Sequence, residues 1–338
     1  MGRRLVPGWA WAYPGGPQRG AVRSRPPGGT GPYAEAVDRR SSDRHLDEVL
    51  VAGLVAGQFP DLAGREVTEL GAGWDHQLFC VGGEWIFRFP RRAERVAWLI
   101  REIEINTLVA AALGPRVPVF ERIGEPRDAF PYPFVAYRRL PGVGAGQAPA
   151  AGLADADGLA ADIGALLATL HRIDPRRVPP TPDGWEHEPW GELRAQLASA
   201  AGLARPLLDA SLLARAEPYL SGRVPEPVQH GPVRFIHNDI CPDHLLVDRR
   251  TGRLTGLIDF TDAMAGDPVL DFVGLIGIGG HRFISRVTAR YDLPLGDGFA
   301  AKLEWLSRVL TLTWLADAAG HDPASVPKHL SWVQHAFS

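Results

Sequence analysis

Residues 236–260 read IHNDICPDHLLVDRRTGRLTGLIDF, and they place His237, Asp239, His244 and Asp259 in two short apolar strands and the turn joining them. Asp239 sits in a loop after the apolar strand 233–236, His244 follows five residues later, and Asp259 ends the returning strand 20 residues after Asp239. The return of that strand brings Asp259 back beside the loop. A carboxylate and an imidazole converging with a second carboxylate can hold a divalent ion and leave one carboxylate to accept a proton. The competing reading makes Asp239 a turn cap and His244 a satisfied core histidine. Three such groups on facing segments, however, cost too much to bury without purpose.

The elements that must position these groups follow from periodicity. Ser42 is expected to cap a helix running to about 58, with Leu46, Leu50, Val51, Leu54 and Val55 on one face. Strands are expected at 66–71, 77–82 and 84–89, the last two joined by Gly82-Gly83. A helix over 93–113 comes next, then strands near 117–124 and 133–138. The run Pro141-Gly142-Val143-Gly144 breaks the pattern, and from about 155 the chain is mainly helical apart from the segment described above. No internal repeat is visible, which removes solenoids and propellers.

Composition narrows the functional classes. With 338 residues, 45% hydrophobic and 22% charged, the chain can bury ample core in one large or two modest domains. Cys80 and Cys241 are the only cysteines, too few for a disulfide framework or a thiolate zinc site, so a reducing cytoplasm is the expected setting. The longest apolar run, Val49 to Gly57, is well short of the roughly 18 residues that span a bilayer, and no membrane partner is expected. Residues 1–32 hold 14 Gly or Pro and five Arg without an acid; a disordered tail over 1–40 is expected, with no secretory signal and with a start that need not be native. The formal charge of −3 becomes −8 once the five arginines of residues 1–34 are set aside. An acidic body disfavours nucleic acid and suits a cationic ligand.

The run His237-Asn238-Asp239, four residues, His244, then Ile258-Asp259-Phe260 resembles the catalytic and metal-binding segments of the aminoglycoside phosphotransferases, especially the 2″ class, with macrolide phosphotransferases related. The protein-kinase pattern H-R-D-x-x-x-x-N has the same offset, His244 standing where kinases carry asparagine. The resemblance implies a bilobal, protein-kinase-like α+β fold with a small N-terminal antiparallel sheet lobe over 41–140 and a larger, mainly helical C-terminal lobe over 141–338. It implies Asp239 as catalytic base, His244 and Asp259 as Mg²⁺ ligands, and His237 as a structural brace. In 261-TDAMAGDPVLDFVGL-275, which is also similar to the family, Asp267 is expected to cap a helix with Pro268 in its first turn. Asp271 is expected to be structural, and Asp262 to support the metal loop or touch substrate.

The same resemblance gives the N-terminal half to the nucleotide, ATP or GTP. Gly71 and Gly73 in 71-GAGWDHQ-77 lie between two strands, as a phosphate-covering loop should, although the third glycine of G-x-G-x-x-G is missing. The phosphate-binding lysine of the next strand is absent. The chain's only lysines are Lys302 and Lys328, and Arg88 occupies the matching place. A guanidinium is always charged and can grip phosphate in two places, with a reach and shape unlike an ammonium. Glu102, with Glu104 as its competitor, is expected to pair with Arg88. Backbone groups from Ala136 to Arg138, in a strand ending Leu-Pro-Gly, are expected to meet the purine edge.

In 184-GWEHEPWGE-192 the acids match no metal spacing and read best as a solvated helix start, with Glu188 and Glu192 as possible contacts to a cationic drug. Trp305 and Trp314 are expected in core. The function implied is transfer of a nucleotide γ-phosphate to a hydroxyl of an aminoglycoside antibiotic, conferring resistance, by a chain taken as a monomer. Alternatives are a macrolide or other metabolite as acceptor, a metal-dependent hydrolase using the same residues, and a non-catalytic ligand-binding pseudokinase.

Overall fold

A computed structural model describes residues 42–73, 75–147, 156–184, 190–227 and 231–338. The tail expected over 1–40 lies outside these described residues. The chain divides into two compact units, one running to Ile103 and taking in Phe120–Arg139, the other comprising Glu104–Val119 and Leu140–Ser338.

The first unit is built on five strands: β1 (Val67–Ala72), β2 (His76–Val81), β3 (Trp85–Pro90), β4 (Arg122–Gly124) and β5 (Phe134–Arg138). They form an antiparallel sheet of order β1-β2-β3-β5-β4. Gly82 and Gly83 have φ of 60° and 72°, left-handed values that a tight hairpin turn needs and that glycine adopts without steric cost. Side chains alternate across a strand, so the register Phe79↔Phe87 and Val81↔Trp85 sends these residues, with Phe89 and Phe134, to one face. There they make a buried aromatic core with Phe130, in which Phe89 and Phe134 stack at 4.6 Å. The opposite face carries His76, Leu78, Cys80, Ile86, Arg88 and Tyr137.

Helix α1 (Glu48–Gln58) starts later than Ser42 would place it, because Asp47 supplies the cap by accepting from Leu50 N at 2.7 Å. Ser42 is engaged elsewhere: its hydroxyl accepts from Arg91 Nε, and Asp43 N donates to Arg91 O. Tertiary bonds to residues some fifty positions away thus override a locally good cap. The expected 93–113 helix opens with a short 3₁₀ turn before α2 (Val96–Leu113), and only residues 122–124 of the expected 117–124 strand join the sheet.

The second unit contains β6 (Val143–Gly144), β7 (Arg234–Ile236), β8 (Leu245–Val247), β9 (Leu254–Leu257) and β10 (Met264–Gly266). Its helices are α3 (Ala156–Leu170), α4 (Trp190–Ala204), α5 (Ala210–Leu220), α6 (Val269–Val273), α7 (Ile276–Thr288), α8 (Phe299–His321) and α9 (Val326–Ala336). The hairpin expected around Asp239 is β8–β9, closed at its far end by Asp248, whose carboxylate accepts from Arg250 N and Thr251 N. Strand β7 pairs with β10 instead. Strand pairing therefore flanks the Asp239 loop on one side and the Asp259 loop on the other. No helix of the described residues is long and apolar enough to cross a membrane.

Candidate active site

The loop between β7 and β8 is fixed through its backbone. His237 Nδ1 accepts from Asp239 N at 3.2 Å, and His244 Nδ1 donates to Asp239 O at 2.8 Å, so both sides of the Asp239 peptide unit are held by imidazoles. That bond turns His244 Nε2 toward Asp259, whose Oδ2 lies 4.0 Å away, while Asp239 Oδ2 is 3.4 Å from His244 Nδ1. Thr261 Oγ1 donates to the other oxygen of Asp259 at 2.9 Å. The two carboxylates and the imidazole expected to converge are thus brought together. Asn238 and Asp259 have φ of 64° and 67°, the only non-glycine residues with positive φ among those described. Such strain persists only where surrounding structure enforces it.

The enforcing group at Asn238 is Asp271 in α6, fully buried. Its Oδ1 accepts from Asn238 N at 2.7 Å and its Oδ2 from His237 N at 2.8 Å. His171, just past α3, gives its Nε2–H to the same Oδ2 at 3.0 Å and turns Nδ1 to the Tyr291 hydroxyl at 2.8 Å. Burial pushes the Tyr291 phenol up to about 12, which keeps it a proton donor. Close behind, a Cβ built on Gly274 would stand 1.6 Å from Ile240 O, so the helix reaches the loop backbone only because this residue is glycine.

His237 is also fully buried, donating Nε2–H to Ile258 O at 3.0 Å and packing its ring edge-on to Phe260. Burial, against the pull of the Asp271 carboxylate, takes its pKa down to about 4. The unfolded chain, with histidine near 6.5, binds this proton more readily, so stability drains away as pH falls from 6.5 toward 4 and changes no further below both values. A His237→Asn variant should show a shallower loss between pH 7 and pH 4.5, by about 2–3 kcal/mol, in urea unfolding curves; identical slopes would contradict a neutral buried imidazole. For His244 burial opposes the charge, yet a bond with Cys241 and the Asp239 and Asp259 carboxylates outweigh it and raise the pKa well above the ordinary value.

In the first unit, Arg88 on β3 and Glu102 on α2 are both buried and joined by Nη1–Oε1 at 2.6 Å, while Glu104 is exposed. The glycine loop is tied down beside them: Arg91 Nη1 donates to Gly73 O at 2.7 Å, Gly73 N to His76 O at 2.9 Å, and Asp75 pairs with Arg95 at 2.9 Å. Gly71, at φ 121°, sits at a register shift of β1. Strand β4 follows β5 only as far as Ala136, whose carbonyl accepts from Glu121 N, and Arg138 pairs with Trp85 alone.

Asp267 accepts from Val269 N at 3.0 Å and forms a buried ion pair with Lys302 of α8, a role its sequence position did not suggest. Pro268 takes the cap position of the short α6. Asp262 is exposed in the turn after Asp259. Trp305 is buried, and Trp314 packs edge-on to Trp332 at 5.9 Å. Glu188 and the side chain of Glu192 lie outside the described residues. His171, His76 and Lys302 were not singled out from sequence; a histidine ending the apolar run of α3 was the one sign of the first.

A sequence model of a phosphotransferase enzyme family matches residues 66–307, more than two thirds of the chain. The chain belongs to that family. Among solved structures, aminoglycoside 2'-phosphotransferase-IIIa in its GDP complex superposes with a TM-score of 0.67 at 25% identity, covering 86% of this chain and 98% of that one. The macrolide 2'-phosphotransferase MphH from Brachybacterium faecium superposes with a TM-score of 0.55 at 20% identity, over 85% and 97%, and shows the fold alone. In sequence, 75 residues are 39% identical to the uncharacterized protein YcbJ of Bacillus subtilis (strain 168); the match spans 22% of this chain and about a quarter of that relative. The phosphotransferase therefore has a kinase-like α+β fold, an antiparallel sheet unit and a helical unit, and is an O-phosphotransferase acting on a small molecule.

Proposed function

We propose that the chain transfers the γ-phosphate of ATP or GTP to a hydroxyl of an aminoglycoside, with Asp239 as the base. The observation that carries this reading is the approach of His244 to Asp239 at 3.4 Å and to Asp259 at 4.0 Å, from the two loops that flank the β8–β9 hairpin. Phosphoryl transfer needs an in-line hydroxyl, neutralised phosphates and little covalent help. Asp239 accepts the proton of the acceptor hydroxyl as the hydroxyl oxygen bonds to the γ-phosphorus and the bond from that phosphorus to the β–γ bridging oxygen breaks, releasing the nucleoside diphosphate.

Magnesium is bound by one or two carboxylates together with nucleotide oxygens and water. The donor set here suits it: Asp259, steadied by Thr261, supplies the carboxylate, and His244, with Nδ1 committed to a carbonyl, would ligate through Nε2 on giving up the proton that its raised pKa favours. When bound, the ion would neutralise charge on the transferring phosphate. Arg88 and the loop of Gly71 and Gly73 take the other phosphates, and Cys80, Ile86 and Tyr137, an apolar cluster on the same sheet face as Arg88, take the base beside the Ala136–Arg138 backbone. The aminoglycoside acceptor is supported by the similar enzyme at 25% identity and by the acidic charge of residues 35–338; the GDP bound in that enzyme makes GTP a donor to test beside ATP.

Nucleotide consumption measured with ATP and GTP separately, against aminoglycosides, macrolides and sugar alcohols, tests the whole reading: turnover only with a macrolide or sugar alcohol would remove the acceptor assigned here. Asp259→Ala should abolish the Mg²⁺-dependent part of nucleotide binding in titration calorimetry with and without metal. Metal-dependent binding that survives the substitution would take Asp259 out of the ligand set.

A further inference from the structure

We propose that His76 is a positioning residue that lets an arginine serve where this fold's phosphate-binding cation stands, an inference that rests on the reading of Arg88 as that cation. In the β2–β3 register Leu78 faces Arg88 and His76 faces Pro90. His76 and Arg88 are therefore diagonal neighbours on one sheet face, a spacing that long side chains bridge. Arg88 Nη2 donates to His76 Nδ1 at 3.2 Å while Nη1 donates to Glu102 at 2.6 Å, and all three residues are at most 5% exposed.

An ammonium is a point charge that a single carboxylate can hold in place. A guanidinium is a plane, and its usefulness to a phosphate depends on where its remaining N–H groups aim. One partner at Nη1 fixes a position; a second at Nη2 fixes the plane. Glu102 and His76 are those two partners, reached from α2 on one side and β2 on the other. The choice of histidine matters as well. A second carboxylate at residue 76 would leave the cluster net negative and repel phosphate, whereas an imidazole accepting through Nδ1 holds the fork and adds no anion. The lysine alternative is closed to this chain, since Lys302 is paired to Asp267 and Lys328 to Asp243 in the other unit.

The test uses the full chain, with ATP and GTP Kd measured by calorimetry in Mg²⁺, kcat alongside, and thermal melts to separate folding from positioning. His76→Leu should weaken nucleotide binding about 10-fold, the scale of one bond to a charged group. His76→Asn, whose Oδ1 can replace Nδ1 as acceptor, should restore most of the affinity. In an Arg88→Ala background His76→Leu should change the Kd no further, since the group it positions is gone. His76→Met replaces the leucine variant should that one not fold. Wild-type affinity in the apolar variant, equal losses with and without Arg88, or no rescue by asparagine would each overturn the proposal. If Arg88→Ala alone leaves the Kd unchanged, the parent reading fails and takes this one with it; a loss there combined with none at His76 overturns His76 only.

Discussion

Replacing Asp239 by asparagine should lower kcat about 10³-fold or more, within the span that removal of a positioned general base produces, and leave the nucleotide Kd where it was. The substitution is unusually clean here. The backbone of Asp239 is held at its N–H by His237 and at its carbonyl by His244, so the loop keeps its shape without the side-chain charge. The carboxylate itself is 48% exposed, so an amide of the same shape can take its place against solvent. The measurement is a coupled nucleotide assay at saturating donor and acceptor, with calorimetry on the same samples. Turnover within tenfold of wild type would show that the acceptor hydroxyl gives its proton elsewhere. Loss of nucleotide affinity in parallel with kcat would place Asp239 on the donor and weaken its assignment as base. A hydrolase built on the same three residues makes a different forecast, since its rate would not depend on nucleotide at all.

What the sequence made legible was set by the range of the interactions involved. Asp239 and Asp259 are 20 positions apart with His244 between them, on the two loops that flank the β8–β9 hairpin, so counting residues along a turn and a returning strand was enough to bring them together. The strands at 77–82 and 84–89 were likewise legible from the Gly82-Gly83 turn that joins them. The partners that stiffen the site lie beyond that range. His171 reaches Asp271 across 100 positions, and Lys302 reaches Asp267 across 35. No periodicity carries such information. His76 was hidden for a subtler reason: its place beside Arg88 depends on the β2–β3 register, and a slip of one residue would have sent it to the aromatic core. The pairing of β7 with β10 was lost because three-residue strands are too short to show alternation. At Ser42 the local rule was sound and the wrong residue won, since Arg91 claims the hydroxyl that would otherwise cap the helix.

The second large effect should come from Asp271, which need touch neither substrate nor nucleotide. Its two oxygens take three bonds, from His237 N, Asn238 N and His171 Nε2, and no part of it meets solvent. Bonds to a buried carboxylate are worth about 1.5–3 kcal/mol each, and removing the acceptor leaves two backbone N–H groups and an imidazole to be buried without it. Asp271→Ala should therefore lose about 3–5 kcal/mol in denaturant unfolding, comparable to breaking a buried charged pair. The catalytic consequence runs through Asn238, whose left-handed φ is held from this side chain. Released, Asn238 can relax toward ordinary backbone angles and carry Asp239 with it, and a displacement near 1 Å is enough to cost about 100-fold in rate. Asp271→Asn separates the two effects: it keeps the size and one acceptor, yet turns an amide N–H₂ toward groups that are themselves donors. It should remain folded at 20 °C, bind nucleotide normally and still lose most of its kcat. A folded asparagine variant with wild-type turnover would mean that the loop holds its shape by its own turn geometry, and that Asp271 contributes stability alone.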